Sequence, residues 1–150
     1  MGKNISWRYF ICISRYSRSY IWGRLKKFKI GIGQSNILRV LSHDGDGISQ
    51  EEISERLDLD NTTVARTVQK LEENGYVEKR RDKNDKRVKR IYLTKKSKKL
   101  KQSIEDAKDD LTNILLNGIS DDEFQACVSV LEKMYKNLKH ESAKGENTSG

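Results

Sequence analysis

Between Gly47 and Thr94 one order of patterns leaves few folds open. Its centre runs from Asn61 to Gly75, where Val64, Val68 and Leu71 recur at i, i+4 and i+7 and form a single apolar stripe on a helix. The opposite side carries Thr62, Thr63, Arg66, Thr67 and Lys70, short hydroxyls and long cations that can donate to phosphates or base edges. Asp60 or Asn61 can cap the start of this helix, and Gly75 stands where a left-handed residue usually ends one. Ahead of it, Ser49-Gln50-Glu51-Glu52 is a capping box opening a short helix with Ile53 and Leu57 inward. Asp58-Leu59-Asp60 is the turn between the two helices.

Behind it, Tyr76–Arg80 reads as a strand, Asp82–Lys86 as a polar turn, and Arg87–Leu93 as a returning strand in which Val88, Ile91 and Leu93 alternate only loosely. Two helices across a short turn, followed by a basic hairpin, make a helix-turn-helix with a wing.

The flanks follow the same kind of argument. Ile5–Phe28 is expected to be a long helix, with Trp7, Ile11, Ser14, Ile21, Leu25 and Phe28 near one face and Phe10, Ile13 and Tyr20 widening it. A stripe that broad must be covered. Gly31 and Gly33 break the chain, and Gln34–Leu41 forms a second helix that buries Ile37, Leu38, Val40 and Leu41. The His43–Gly47 segment is a turn, and Ile48 can pair briefly as a strand. Thr94 caps a further long helix whose Leu100, Ile104, Ala107, Leu111 and Ile114 or Leu115 keep a heptad-like seam. Ser120-Asp121-Asp122-Glu123 opens the last helix, with Phe124, Cys127 or Val128, Leu131, Met134 or Tyr135, and Leu138 in register. Ser142–Gly150 is small and polar, and disorder is expected there.

Composition narrows the partner. The 150 residues carry a formal charge of +8, which favours a polyanion. Hydrophobic and charged residues each make up 35%, a thin core for the length that suits helices covered in part by another chain. Cys12 and Cys127 match no disulfide or zinc spacing and fit a reducing cytoplasm; each lies on an apolar helix face, where a cysteine is usually just buried. No apolar run approaches the roughly 20 residues of a membrane span. His43 and His140 read as surface residues without metal-like neighbours. No glycine-rich phosphate loop, histidine-based triad or paired carboxylate argues for an enzyme, and no cofactor is expected.

These residues resemble the MarR family of winged helix regulators over nearly the whole chain, from Ile5 to about Leu138. Asp82, Asp85, Arg87 and Leu93-Thr94 resemble the family's wing signature. Thr62–Arg66 with Leu71–Gly75 resembles its recognition helix and glycine stop. Ser97 departs from the pattern, since relatives usually carry glycine there. The resemblance implies a mainly α (α+β) fold. It divides the chain into an N-terminal dimerisation helix (1–30), a winged lobe (31–94), C-terminal dimerisation helices (95–141) and a tail (142–150). It further implies a homodimer on pseudo-palindromic double-stranded DNA, released by a small anionic or phenolic effector or, in some members, by thiol oxidation.

On that reading Arg66 and Thr63 touch bases, Thr62, Thr67 and Lys70 hold the backbone, and Asn61 belongs to the same DNA-binding helix. Arg87, held by Asp85, enters the minor groove. Lys83, Lys86, Lys89 and Arg90 add phosphate contacts. A two-fold pair sets its readers about one DNA turn, roughly 34 Å, apart. Arg15, Tyr16, Tyr20 and Trp22 on the first helix are candidates for an effector pocket, aromatic walls beside a cation. The expected function is a sequence-specific repressor. A non-specific or architectural nucleic-acid binder is the alternative.

Overall fold

The computed structural model describes Trp7–Glu146. Helix α1 (Trp7–Leu25) runs into a single 3-10 turn (Lys26–Phe28) and is followed by α2 (Ile32–His43). Strand β1 (Ile48–Ser49) leads into α3 (Gln50–Leu57) and α4 (Asn61–Glu73). The hairpin β2 (Val77–Arg81) and β3 (Lys89–Leu93) comes next, then α5 (Lys95–Lys98), α6 (Lys101–Leu116) and α7 (Asp121–Glu146). The strands form one antiparallel sheet in the order β1-β3-β2, with Ile48 opposite Ile91 and Ser49 opposite Arg90.

Caps set the helix starts. Ser49 Oγ accepts from Glu52 N–H at 3.1 Å while the Glu52 carboxylate accepts from Ser49 N–H at 2.7 Å, so the capping box is complete. Asp60, not Asn61, caps α4. Gly75 closes α4 at φ 73°, the left-handed region that glycine enters without strain. The turn before α4 carries Asp58 at φ 49°. Gly47 is in the same region at φ 86° and has a second constraint: a Cβ there would stand 2.9 Å from the Tyr92 ring.

The core of the first compact unit, which reaches Leu111, is built by Ile37, Leu38 and Leu41 of α2, Ile53 of α3, Val64, Val68 and Leu71 of α4, and Val77 and Ile91 of the sheet. Ile21 and Leu25 of α1, and Leu100, Ile104 and Ala107 from the stretch around the start of α6, enter the same core. This core therefore draws on residues from both sides of positions 30 and 94. Tyr76 strengthens the join by donating from its hydroxyl to the Phe28 carbonyl at 2.8 Å. Arg24 pairs with Asp110, and both Arg39 and His43 with Glu105.

Other expectations are corrected. The first helix ends at Leu25, one turn before Phe28. Gly33 lies inside α2 instead of breaking the chain before it. The helix after Thr94 is not continuous: four residues of α5 are followed by a turn at Lys99-Leu100 before α6. Ser97 is buried there, its hydroxyl donating to the Thr94 carbonyl at 2.9 Å. Helix α7 passes through Ser142 to Glu146, so the tail does not lose structure where its composition suggested; 147–150 lie outside the described residues, as does Ile5.

The second unit, from Thr112 onward, contains the end of α6 and α7. None of the described side chains of α7 is buried. Ile114, Leu115, Phe124, Val130, Leu131, Tyr135 and Leu138 are all exposed, and so is Cys127, which is not the covered cysteine expected. In the first unit, α1 likewise leaves Trp7, Tyr9, Ile11, Ile13 and Tyr16 open. Among the described residues no helix is long and apolar enough to cross a membrane.

Candidate nucleic-acid interface

Helix α4 presents its polar side outward because Val64, Val68 and Leu71 are all fully buried on the other. At about 100° per residue, the positions opposite that stripe are Thr62, Arg66, Gln69 and Glu73, with Lys70 beside them. All five are exposed or nearly so. Thr63 and Thr67 sit on the flank, half-buried, with their hydroxyls engaged locally. Thr63 donates from Oγ1 to the Asp60 carboxylate at 2.7 Å and from its N–H to the same group at 2.7 Å. Thr67 donates to the Thr63 carbonyl at 2.8 Å. The Thr63 bonds hold the Asp60 carboxyl below its ordinary range and fix the helix start. Asn61 is exposed at the first helical position.

Gln69 shares this outer row but was absent from the expected set, which weighed hydroxyls and cations on that face. Projecting the helix from its buried stripe would have found it. Its Nε2 donates to Glu73 at 3.0 Å, which orients the amide along the outer face.

The wing tip is a set of turns closed by two aspartates. Asp82 Oδ1 accepts from the N–H of Asn84 at 2.8 Å and of Asp85 at 2.9 Å, and Asp82 Oδ2 accepts from Arg90 Nε. Asp85 accepts from the Arg87 backbone N–H at 3.0 Å and, bidentately, from its guanidinium at 3.0 and 2.9 Å. Asp85 thus holds the Arg87 guanidinium itself, while the side chain as a whole stays 90% exposed. Lys83, Lys86 and Lys89 are exposed beside it. Arg90 is not available in that way: besides Asp82 it donates to the Gly47 carbonyl at 3.0 Å.

The Arg90 side-chain bond, reinforced by the two backbone amides, holds the Asp82 carboxyl at about 2 against an ordinary 3.8. A group depressed in the fold contributes order above its free value and loses it only as pH falls through the folded one. At pH 3.8 the Asn84 and Asp85 amide resonances should therefore stay where they are at neutral pH. A midpoint near 3.8 in a proton NMR titration would show that the bracing is absent.

The aromatic candidates on α1 do not converge. Tyr16 and Tyr20 line a shallow groove with Ser19, Gly23 and Arg24, whereas Arg15 lines another with Phe10, Ile11, Ser14 and Arg18. Arg15 stacks over the Tyr16 ring at 4.8 Å, and Trp22 faces the Gly31 backbone.

A capped helix with a dry inner stripe and a cationic outer row, beside a hairpin that projects arginine, defines a winged helix DNA-binding protein. The MarR family model matches residues 31–89. The chain is 35% identical to a MarR transcriptional regulator from Methanosarcina mazei Go1, covering 88% of this chain and 95% of that one with a TM-score of 0.74. It resembles MepR of S. aureus, solved with DNA, at 26% identity and a TM-score of 0.82, covering 90% and 99% of the two chains. With the HTH-type regulator YybA of Bacillus subtilis (strain 168) it shares 29% identity over 99 residues, 66% of each, so the match spans just under two thirds of that relative. This chain belongs to the MarR family and is a winged helix transcriptional regulator.

Proposed function

We propose that the protein acts as a homodimer that reads a pseudo-palindromic operator and represses by occupying it. The observation that carries the specific reading is the outer row of α4. Arg66 stands there exposed between Thr62 and Gln69, on a helix fixed by its cap and its buried stripe. Arginine recognises guanine through two parallel bonds, and glutamine can do the same for adenine. A purely architectural binder needs no such row.

The dimer is supported by α7. A helix of 26 residues with none of its described side chains buried leaves its apolar row open, and such a row is stabilised by packing on something. A second copy supplies an identical row and closes the assembly by two-fold symmetry. The open apolar side of α1 supports the same arrangement.

A small aromatic or phenolic anion is the effector this surface suits. The groove lined by Tyr16, Tyr20 and Arg24 sets two phenol rings near a cation that also pairs with Asp110, and a dimer partner would deepen it.

Arg66→Ala tests the reading. Binding to a selected operator should fall by about 1–3 kcal/mol, and preference should relax at one base pair in each half-site while the others keep theirs. A uniform drop across all sequences, measured by selection from a random duplex library, would instead favour the architectural binder.

A further inference from the structure

Arg90 looks from its charge like one more phosphate contact of the wing. Its surroundings point elsewhere. On β3 it lies opposite Ser49 in one direction and Arg80 in the other, so its side chain stands over the junction between β1 and α3. There it donates from Nη1 to the Gly47 carbonyl at 3.0 Å and approaches Glu52 Oε2 at 3.6 Å. That same Glu52 oxygen accepts from the Ser49 N–H and closes the cap of α3. Through Nε it donates to Asp82, whose carboxylate folds the wing turn by holding the Asn84 and Asp85 amides. Asp85 then grips Arg87. One unbroken series of polar contacts thus runs from the start of the first helix of the helix-turn-helix to the exposed cation of the wing. The middle of the series is sheltered and its end is not: the side chains of Asp82, Arg90 and Arg87 are 13%, 35% and 90% exposed.

We propose that Arg90 is a positioning residue. It does not hold DNA; it ties the wing tip to the α3 cap and thereby sets the direction in which Arg87 is presented. Beyond the β1 pairing at Ile91 and Arg90 the hairpin pairs only with itself, and a two-stranded ribbon twists more than a wider sheet. A guanidinium fork is suited to this task because its donors diverge in one rigid plane and can span a carbonyl and two carboxylates at once, which an ammonium cannot do. The inference rests on the reading of the wing as a DNA-contacting element, and its test separates the two.

Arg90→Gln, Arg90→Lys, Arg87→Ala and the Arg90→Gln/Arg87→Ala double variant should be compared in the full chain. In free protein, amide hydrogen exchange across Asn84–Val88 should rise by about tenfold or more in both Arg90 variants, with α4 unchanged. On DNA, Arg90→Gln should erase hydroxyl-radical protection in the flanking minor groove as fully as Arg87→Ala does. The double variant should be no worse than Arg87→Ala alone, and lysine should fail to rescue. Wild-type exchange at the tip overturns the proposal. So does an affinity loss that adds to that of Arg87→Ala and is restored by lysine, because that is the behaviour of a phosphate contact. If Arg87→Ala changes neither footprint nor affinity, the wing reading fails, while the exchange measurement still decides whether Arg90 braces the tip.

Discussion

Leu131→Asp combined with Leu138→Asp should leave a chain that sediments as a monomer and binds its operator about 10³-fold or more weakly, close to non-specific affinity. Both residues are exposed, at 42% and 66%, and neither contributes to the core of the first unit, so the winged lobe should keep its fold. The loss arises from geometry, because one reader alone can engage only a half-site. The spacing of two readers by about one turn of duplex exists only in a two-fold pair. The carboxylates act by charge. Two copies approaching through the α7 row would bring four of them into an apolar seam, where an unpaired charge costs several kcal/mol. Analytical ultracentrifugation and gel shifts on one preparation check both halves. A variant that stays dimeric removes α7 from the interface, and a monomer with undiminished affinity removes dimerisation from the mechanism.

The second large effect needs no mutation. Raising salt from 50 to 200 mM should weaken operator binding by about 10³–10⁵, the loss expected when six to ten phosphates are neutralised and their counterions released. Each copy offers Lys70, Lys83, Lys86, Lys89 and Arg87 as exposed cations on its reader and wing, so a pair reaches that number without recruiting the flanks. A plot of log affinity against log salt should be linear, with a slope near −0.9 per contact. A flat plot would mean that the basic surface is solvated and not engaged. Arg90 should not contribute to the slope directly, since its donors face Gly47 and Asp82.

Both effects depend on how much of the protein could be read from residue order. The helix-turn-helix was legible because its signals are local. Ser49 and Glu52 are three positions apart and can find each other before any tertiary contact forms, and the Val64-Val68-Leu71 stripe is a property of one helix. The wing was legible for the same reason, as Asp85 needs only to reach Arg87, two residues on. The division of labour among the polar residues was not. Thr63 and Thr67 have the same chemistry as Thr62, and only the bonds formed in the fold show that their hydroxyls donate to Asp60 and to the helix backbone. Arg90 was expected to add a phosphate contact, and its bond to Gly47, 43 residues away, is one that chain spacing does not reveal. Gln69 was passed over because hydroxyls and cations were weighed on that face and a side-chain amide was not.

What residue order by itself determined here is every feature whose cause lies within one turn of helix or one hairpin: the caps, the stripe, the basic tip and the apolar rows of α1 and α7. What only the tertiary structure decided is which of those groups remain available. Packing α1, the sheet and the start of α6 into one core placed Ile21 and Ala107 in the same interior and brought Arg90 within reach of Gly47. The physical reason is that burial and long-range hydrogen bonding depend on which segments meet in space, and chain spacing carries no record of that.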